Sequence, residues 1–495
     1  MSGLATSHIL LSPEQSRAAD SWAIAHGTDG LTLMENAGRG AAEIISDYIG
    51  TADECDGDVL ILCGPGNNGG DGYVIARILD DWGYSVRVVS VVPTVDLKGD
   101  AATMAVRWEG PVEGAEKVSF KGVCVVVDAL FGTGLTRALE GDIAVLIEKA
   151  NRQDTFRIAI DLPSGLNAAT GQPLGPCFHA DATITFFTKK PGQVIAPGRF
   201  LCGGSEHIHI VDIGIASECL GKIEPNTFEN EPSLWGHAFP YAGPATHKYH
   251  RGHLLVLGGK EPTLGACRLA SMSALRSGAG LVTLAAPSET YSIQAAALTD
   301  VMVRRFDSAF GFLSMVADTR INVVLMGPGA GVSEKTAELV QEVGSRGRSM
   351  VLDADALTSL VGRLDILNGD GDVVLTPHEG EFTRLFPDIS LERDRISGVR
   401  EAAGRTGTVV VLKGVSTLIA APDGRIAITA NAPAWLSVGG TGDVLSGIIA
   451  GLMAQGMPAF EASCAGVWLQ GEAAMRAGRG LIASDLVDLL PAVLP

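Results

Sequence analysis

The sequence predicts an α/β protein with largely parallel sheets, divided into two domains. Short runs of β-branched residues alternate with helical stretches along the 495-residue chain, a pattern typical of parallel strands joined by helices. One complete set of such elements precedes residues 216–250, and another follows them. This connection contains four prolines and little periodicity. We therefore place the domain boundary there and predict domains at 1–219 and 230–495.

The first domain is predicted to begin with two helices over 13–49, because Ser12-Pro13-Glu14 is a favourable helix start. The glycine-rich stretch Gly64–Gly72 follows a strand and leads into a helix that we expect to open at about Asp71 and to end near Trp82. Strands are predicted from apolar, β-branched runs at 58–63, 85–92, 123–128, 157–160, 182–187 and 207–211.

The second domain is predicted to start with a strand at His253–Leu257, followed by Gly258-Gly259. From Val444 to Met453, apolar residues recur at i, i+1, i+4, i+5, i+8 and i+9, which predicts a buried helix directly after Gly439–Asp443. Further strands are predicted at 281–285, 321–326, 349–353, 372–376, 408–412 and 416–420.

Composition argues against several classes of protein. The chain has Lys+Arg 37, Asp+Glu 56 and a formal net charge of −19. This balance disfavours nucleic-acid binding, since neutralising phosphates requires clustered basic residues. No run of about 18 apolar residues predicts a membrane span, and the amino-terminal stretch lacks the pattern of a signal peptide. The eight cysteines form no C-x-x-C pair. We expect reduced thiols in a cytoplasmic protein, with neither a disulfide framework nor a zinc site.

Polar residues follow three predicted strands of the first domain. Glycines in Gly64–Gly72 allow the backbone to approach a ligand, and the N–H groups of the following helix can face a phosphate. The acidic residue that a hydride-transfer dinucleotide site carries about 20 positions later is absent. The carboxyl ends of parallel strands meet at one edge of a sheet. Asn68, Asp128, Asp161 and Ser164 should therefore form an oxygen-rich cluster suited to an alkali or alkaline-earth ion.

The segment Gly439–Asp443 is predicted to lie at a helix N-terminus. Its N–H groups can form an anion hole, and Asp443 can act as base on a hydroxyl that attacks a phosphate. The chain contains no G-x-x-x-x-G-K-[ST], so a P-loop enzyme is excluded. Further polar segments are expected at strand ends, namely Gly327–Gly331, Asp353–Leu357, Thr376–Glu381 and Leu412–Thr417.

The motifs GPGNNGGDG, VDALFGTGL and DLPSGLNAATG together resemble those of the NAD(P)H-hydrate epimerase family, over roughly residues 10–215. The resemblance implies a Rossmann-like three-layer α/β/α domain that binds hydrated NADH or NADPH (NADHX or NADPHX). It implies that Asp161 lies at the reacting ring as a substrate-binding and catalytic carboxylate, and that Asn68, Asp128 and Ser164 bind K⁺. The substrate-binding residues that it implies are Asn67, Asn68, Gly69, Gly70, Asp71, Gly132, Thr133, Gly134, Leu135, Thr136, Arg137 and Ala138.

The segments LGACRLASMSALRSGAGLVT, MGPGAG, LDADAL, TPHEGEFTRLF, LKGVST and VGGTGDVLSGIIAGLMAQG resemble the NAD(P)H-hydrate dehydratase branch of the ribokinase-like superfamily, over roughly 236–495. The resemblance implies a ribokinase-like α/β domain with Asp443 as catalytic base and with Mg²⁺ accompanying the nucleotide. The substrate-binding residues that it implies are Ala266, Gly329, His378 and Asp443. The ADP-binding residues that it implies are Lys413, Gly414, Val415, Ser416, Thr417, Pro433, Gly439, Gly440, Thr441 and Gly442.

Two positions depart from the pattern of that branch. Glu379 stands where the family usually has proline, and Trp435–Val438 stands where it often has Gly-Met-Ala-Thr. The second departure lies in the predicted nucleotide loop, so it bears on the choice of nucleotide.

Together the resemblances imply a bifunctional metabolite repair enzyme. An isomerase activity would interconvert the R and S hydrates of NAD(P)H, and a lyase activity would dehydrate the S form at the expense of ADP. Two alternatives are a ribokinase-like kinase of a small alcohol with a nucleotide-sensing first domain, and a non-catalytic scaffold. We also expect a homo-oligomer. The sequence leaves open the preference between NADHX and NADPHX, the choice between ADP and ATP, and whether the two sites exchange substrate directly.

Overall fold

The computed structural model describes residues 7–367 and 369–495. The chain divides between Thr227 and Phe228 into two compact units, each built on a sheet with packed helices. The predicted α/β class with largely parallel sheets is therefore confirmed. Within the described ranges, no helix is long and apolar enough to cross a membrane.

The sheet of the first unit has the order β3-β2-β1-β4-β5-β6-β7, and every neighbouring pair is parallel. The run 3-2-1-4-5-6 is the strand order of doubly wound dinucleotide-binding folds, in which ligands bind where the order reverses, outside the carboxyl ends of the strands. Here that point lies between β1 and β4. The strands are β1 Asp58–Cys63, β2 Val86–Ser90, β3 Val112–Gly114, β4 Val123–Ala129, β5 Phe156–Ile160, β6 Ala182–Phe186 and β7 Ile208–Val211.

Helices cover both faces of this sheet. Leu60 and Leu62 share a buried cluster with Leu146 and Ile147 of α5 on one face, while Gly72 of α3 lies against Ile61 on the other. This is the three-layer arrangement that the family resemblance implied. The helices are α1 Pro13–Ala25, α2 Gly30–Ile49, α3 Asn67–Asp81, α4 Gly99–Arg107, α5 Gly141–Asn151, α6 Pro191–Val194, α7 Gly198–Leu201 and α8 Leu220–Ile223.

The sheet of the second unit has the order β11-β10-β9-β12-β13-β14-β15-β16-β17-β8. The strands from β11 to β15 are parallel, whereas β15, β16 and β17 pair antiparallel. The strands are β8 Thr227–Glu229, β9 His253–Leu257, β10 Leu281–Pro287, β11 Met302–Phe306, β12 Val323–Met326, β13 Ser349–Leu352, β14 Val373–Leu375, β15 Val409–Leu412, β16 Leu418–Ala420 and β17 Ile426–Ile428.

The helices of the second unit bury an extensive apolar core against this sheet. The predicted stripe of α17 is confirmed, since Val444, Leu445, Ile448 and Ile449 all belong to that core. The helices are α9 Pro232–Trp235, α10 Leu264–Arg276, α11 Tyr291–Ala297, α12 Ala309–Val316, α13 Glu334–Gly344, α14 Ala354–Ser359, α15 Glu379–Leu385, α16 Arg395–Thr406, α17 Thr441–Ala454, α18 Ala459–Ala477 and α19 Ala483–Val493.

The sequence analysis missed four strands and misplaced one helix start. β3, β8 and β11 are edge strands, and β11 is largely exposed, so an apolar run does not mark it. The fourth missed strand, β17, has only three residues. The predicted opening of α3 at Asp71 is wrong: the helix begins at Asn67, with Gly66 as its N-cap. Most of the glycine-rich motif is therefore helical.

The predicted limits 219 and 230 leave out two small elements. Helix α8 continues to Ile223 and packs against α1, and β8 adds an edge strand to the sheet of the second unit. That each half folds independently stays a prediction.

Candidate active sites

A polar cavity of about 580 Å³ opens at the carboxyl ends of the first unit's strands. This size lies within the usual range of small-molecule sites. The predicted residues that line it are Asn67, Asn68, Asp71, Gly132, Thr133, Gly134, Leu135, Thr136, Arg137 and Asp161. The cavity thus collects segments that follow β1, β4 and β5, as the sequence analysis predicted.

Asp161 directly follows β5 and has a left-handed backbone conformation, with φ of 62°. A non-glycine residue is strained there, and the surrounding hydrogen bonds hold it in place. Its N–H donates to the carbonyl of Ile184 at 2.7 Å, and its own carbonyl accepts from the amide of Gln193 at 2.8 Å. The carboxylate Oδ2 accepts from the N–H of Thr133 at 2.9 Å. These contacts fix the carboxylate at the cavity wall.

Lys190 forms the counter-charge of Asp161. Its ammonium donates to Oδ1 of Asp161 at 2.7 Å, to the hydroxyl of Thr185 at 2.7 Å and to the carbonyl of Phe186 at 3.3 Å. The Lys190 side chain is only 4% exposed. All three donors of the ammonium are therefore used, which compensates the cost of burying the charge and fixes the ion pair.

Two more carboxyl groups line the same cavity. Burial raises the pKa of Asp71 well above its ordinary value, and the negative charges of Asp161 and Asp20 add to the effect. Burial and Asp161 also raise the pKa of Asp20, whereas Lys190 opposes the shift. The raised pKa of Asp71 favours its protonated form, and Asp161 lines the same cavity, an arrangement suited to acid–base chemistry.

The glycines at the start of α3 have two different roles. A side chain on Gly64 would lie 1.7 Å from a backbone atom of Leu130. A side chain on Gly69 would lie 2.0 Å from a backbone atom of Gly64. These glycines bring the loop and the helix start close to the neighbouring chain. A side chain on Gly66 would point into open space, so here the bare backbone faces the cavity.

The Asn68 side chain lies beside this cavity without a hydrogen-bond partner, although its Nδ2 and Oδ1 atoms are both buried. Leaving both ends of a buried amide unpaired is costly. This is the feature expected of a group that pairs with a ligand or an ion.

The structure brings together Asp128 and Ser164, two of the three predicted ion ligands. Ser164 donates from its N–H to Oδ2 of Asp128 and from its hydroxyl to Oδ1, both at 2.7 Å. The N–H of Leu130 adds a bond to Oδ1 at 3.1 Å. Burial raises the pKa of Asp128 to about 6, with the bonds from Ser164 opposing the shift. No hydrogen bond joins Asn68 to this pair.

Five predicted residues of the first unit lie away from the cavity lining, and two of them are the buried ion ligands Asp128 and Ser164. Gly69 and Gly70 are packed beneath it, with Gly70 against Met34, and Ala138 is exposed nearby. Lys190 and Asp20 were missed. Lys190 follows β6, so the rule that polar residues at strand ends form sites could have found it. Asp20 lies on α1 and carried no such signal.

In the second unit, Asp443 lies in the first turn of α17, as predicted. The N-cap Gly440 is left-handed, with φ of 90°, which allows the chain to turn sharply into the helix. Free N–H groups at a helix start attract anions. Burial raises the pKa of Asp443 from 3.8 to about 6; Asp353 and Asp355 add to the shift, and Lys413 opposes it.

A buried ion pair adjoins this helix start. The ammonium of Lys413 donates to Oδ1 of Asp353 at 2.8 Å, and the Asp353 side chain is 2% exposed. Asp353 raises the pKa of Lys413, opposing the lowering caused by burial. A side chain on Gly442 would lie 3.3 Å from the Lys413 ammonium, so the bare backbone of α17 contacts the pair.

His378 caps helix α15. Its Nδ1 accepts from the N–H groups of Gly380 at 3.0 Å and Glu381 at 3.3 Å, and Glu381 accepts from the His378 N–H at 2.9 Å. Because Nδ1 is an acceptor, the proton of the neutral ring is on Nε2. Glu379, the departure from the family pattern, forms an ion pair with Arg395.

The predicted nucleotide residues lie on two segments next to the Lys413–Asp353 pair. The first, Lys413–Thr417, turns between β15 and β16 and is closed by a hydrogen bond from the Gly414 N–H to the Thr417 hydroxyl at 3.4 Å. The second, Pro433–Gly442, leads into α17, and a side chain on Gly439 would meet open space. Asn431, just before it, was missed; its Oδ1 is buried without a partner.

The other two predicted substrate residues lie near one another. Ala266 is in the first turn of α10, and the carbonyl of Gly329 accepts from the hydroxyl of the N-cap Thr263 at 3.3 Å. Gly329 has φ of 68°, a conformation that favours glycine. No hydrogen bond joins Ala266 or Gly329 directly to Asp443 within the described residues.

Comparisons with known proteins agree with both halves of this description. Residues 254–492 match the NAD(P)H-hydrate dehydratase family, and residues 30–192 match the family of the YjeF-related protein N-terminus. The structure is similar to that of the ADP/ATP-dependent NAD(P)H-hydrate dehydratase from Bacillus subtilis, which was co-crystallised with ATP/Mg²⁺. The two chains are 29% identical with a TM-score of 0.47, and the match covers 52% of this chain and 95% of the other.

Full-length relatives extend the match across both units. The bifunctional NAD(P)H-hydrate repair enzyme Nnr of Moorella thermoacetica is 36% identical, over 94% of this chain and 92% of its own length. The enzyme of the same name from Escherichia coli is 35% identical, over 94% of this chain and 90% of its own. The chain therefore belongs to the family of bifunctional NAD(P)H-hydrate repair enzymes.

Proposed function

We propose that the first unit epimerises the R and S hydrates of NAD(P)H, and that the second dehydrates the S hydrate at the expense of ADP. The observation that supports the first activity is the fixed Asp161–Lys190 pair, which lines the same cavity as Asp71. The observation that supports the second is Asp443, placed at a helix start beside the Lys413–Asp353 pair.

Epimerisation requires the C6 hydroxyl to leave one face of the ring and water to add to the other. The lone pair of the ring nitrogen expels the hydroxyl once it is protonated, leaving an iminium at C6. Asp71 is suited to supply that proton because its raised pKa favours the protonated form, and Asp161 is suited to accept one from the incoming water. Lys190 then acts as a positioning residue that holds the Asp161 carboxylate.

Backbone groups would hold the remainder of the substrate. The start of α3 at Asn67 and the stretch Gly132–Arg137 present N–H groups at the rim of the cavity. Such groups suit the diphosphate of a dinucleotide. Gly69, Gly70 and Ala138 are assigned a supporting role, since they lie outside the lining.

A potassium ion fits the donors between Asn68 and the Asp128–Ser164 pair. The Asn68 amide oxygen is buried without a partner. Oδ2 of Asp128 accepts one hydrogen bond, so a lone pair stays available. All three residues offer hard oxygen ligands, which alkali ions prefer. Bound there, K⁺ would supply positive charge that favours ionised Asp128 and would fix Asn68 beside Asp71.

In the second unit, Asp443 would take the proton of the C6 hydroxyl as that oxygen attacks the β-phosphate of ADP. Bond formation to phosphorus releases AMP, and the lone pair of the ring nitrogen then expels phosphate from C6. Loss of the C5 proton restores the dihydropyridine. The raised pKa of Asp443 suits a base working near neutrality.

Charge on the transferred phosphate needs neutralisation. The Lys413 ammonium and the N–H groups of Gly440, Thr441 and Gly442 are placed for this, and Mg²⁺ would arrive with the nucleotide. Mg²⁺ is usually held by one or two carboxylates and by phosphates, and Asp443 and Asp353 are the carboxylates at hand. Ala266, Gly329 and His378 would contact the substrate, and Lys413–Thr417 and Pro433–Gly442 the ADP.

Purified protein mixed with R and S hydrates tests both activities at once. With ADP, absorbance of reduced nicotinamide should rise in a fast phase from S and a slower phase limited by epimerisation. Parallel reactions with ATP and without nucleotide settle the choice of phosphate donor. Release of AMP without any gain in absorbance would instead indicate a kinase. No consumption of hydrate or nucleotide would contradict both activities and leave the kinase of a small alcohol and the scaffold as the alternatives.

We also propose that the chain forms a homo-oligomer and acts in the cytoplasm. Sedimentation equilibrium of the full chain measures the first, and fractionation of cells that express it measures the second. A monomer at micromolar concentration would overturn the oligomer.

A further inference from the structure

Two cysteine thiols meet at the end of the first unit's sheet away from the cavity. Cys55 lies in the connection between α2 and β1, and Cys124 is the second residue of β4. Their Sγ atoms are 2.6 Å apart. Two sulfur atoms in van der Waals contact stand about 3.6 Å apart and a disulfide bond is about 2.05 Å long, so this separation is closer to a bonded pair than to packing contact.

A β-bulge turns Cys124 towards its partner. In the pairing of β1 with β4, Asp58 is opposite Val123 and Val59 is opposite Val125. Cys124 is therefore the extra, unpaired residue of β4. Bulges change the direction of a side chain, and here the thiol leaves the regular alternation of the strand.

Gly57 allows the approaching chain to come this close. Its φ is 142°, and a side chain there would lie 2.6 Å from the carbonyl of Gly122 and 3.0 Å from the N atom of Cys124. The connection between Cys55 and β1 could not pass so near to β4 with a larger residue at this position. The bulge and this glycine together create the thiol pair.

The pair also differs from the other cysteines in exposure. Cys55 and Cys124 are half-buried, whereas the other six are buried. Burial raises the pKa of Cys124 to about 12, and the bond to Cys55 adds to the effect. Cys124 therefore stays a thiol near neutrality.

We propose that Cys55 and Cys124 form an oxidation site, in which a peroxide converts the two thiols into a disulfide. The Cys55 thiolate attacks one peroxide oxygen, the O–O bond breaks, and hydroxide takes a proton and leaves as water. The sulfur of Cys124 then displaces hydroxide from the resulting sulfenic acid, losing its proton, and a second water leaves. Two electrons pass from the thiols to the peroxide.

Such a bond would join the amino ends of two neighbouring strands and close a long loop that contains β1 and α3. Cross-links across long loops restrict the unfolded chain strongly. Asp128, by contrast, lies near the carboxyl end of β4. We therefore expect oxidation to stabilise the first unit and to leave epimerisation nearly unchanged.

The test compares the full chain reduced with dithiothreitol and the same protein treated with hydrogen peroxide. Mass spectrometry should show a loss of about two mass units and a cross-linked Cys55–Cys124 peptide, both reversed by reductant. The Tm of the first unit should rise by about 5 °C or more on oxidation. In Cys55→Ser and Cys124→Ser variants, both changes should disappear while the far-UV spectrum is unchanged.

Three results would overturn the proposal: a cross-link between other cysteines, only sulfinic or sulfonic acid at Cys55, or no modification while an exposed reference thiol is fully oxidised. If Cys124→Ser fails to fold, Cys55→Ser decides alone, since its position in a connection carries little packing.

Discussion

Replacing Asp443 by asparagine should remove most dehydration and leave the fold intact. The change preserves the size of the side chain and removes its ability to take a proton. A positioned base contributes about 10²–10⁴-fold to the rate, equivalent to about 3–5 kcal/mol of transition-state stabilisation. We expect a loss of this size in kcat with saturating ADP and S hydrate, and little change in the KM for ADP.

The pKa of Asp443 also predicts the pH dependence of the wild-type rate. With a pKa of about 6, the carboxylate is the main form above pH 6, and protonation removes the base below it. The rate should therefore fall about tenfold per pH unit below pH 6. At pH 5 we expect roughly one-tenth of the rate at pH 7.5. Asp443→Asn should lose this acid limb.

The stability linked to Asp443 itself changes in the opposite direction, and thermal melts separate loss of the base from unfolding of the chain at low pH. A carboxyl pKa raised in the folded state contributes stability at low pH that is lost as the pH rises from about 4 to about 6. At pH 7.5 the charged Asp443 costs the fold up to about 3 kcal/mol, since each unit of pKa shift is equivalent to about 1.4 kcal/mol. The asparagine variant should thus melt at the same temperature or higher.

The assay follows absorbance of reduced nicotinamide from purified S hydrate between pH 5 and 8, with thermal melts on the same samples. Glu334→Gln is the matched control, because Glu334 also lies in the first turn of a helix of this unit, with its side chain 77% exposed. Its rate should equal that of the wild type. Near-normal turnover in Asp443→Asn, or an unchanged acid limb, would refute the role of this residue as base.

Three further predictions concern other parts of the chain. Lys190→Met should slow R-to-S exchange about 10²-fold, because Asp161 loses the buried ammonium that holds it, while Lys117→Met, at an exposed position, should not; equal rates in both variants would contradict the pair's role. Asp128→Ala should slow the epimerisation phase of a mixed-hydrate progress curve and abolish its dependence on K⁺; an equal slowing of the fast ADP-dependent phase would require a different two-site model. Fragments cut between residues 224 and 225 should each unfold cooperatively, and 225–495 should melt higher than 230–495, which lacks β8; fragments that stay unfolded would count against separable domains.

Much of the fold could be predicted because periodicity is a local property. The buried strands β1, β4 and β9 and the apolar stripe of α17 were found at or near their observed bounds. Edge strands such as β11 were not predicted, since an exposed strand needs no apolar run. The early start of α3 was not predicted because glycine lowers helix propensity; in the structure Gly69 packs closely on Gly64 and Gly70 on Met34.

The candidate site residues also divide into those that local sequence predicted and those that it did not. Asp161 and Asp443 were found because each follows a recognisable strand or precedes a recognisable helix. Lys190 was missed: the pairing of β5 with β6 brings it to Asp161, 29 residues away.

The order of residues in this chain was enough to predict two α/β halves, the positions of the glycine-rich turns and the acidic residues near them. These depend on hydrophobic period and turn chemistry, which act over a few neighbours. Only the tertiary structure shows which charged side chains form ion pairs. Lys413 reaches Asp353 across 60 residues, and the burial of Asp71 and Asp443 raises their pKa values. Ion pairs and pKa shifts depend on the distance between groups and on their burial away from water. The local sequence determines neither the distance nor the burial.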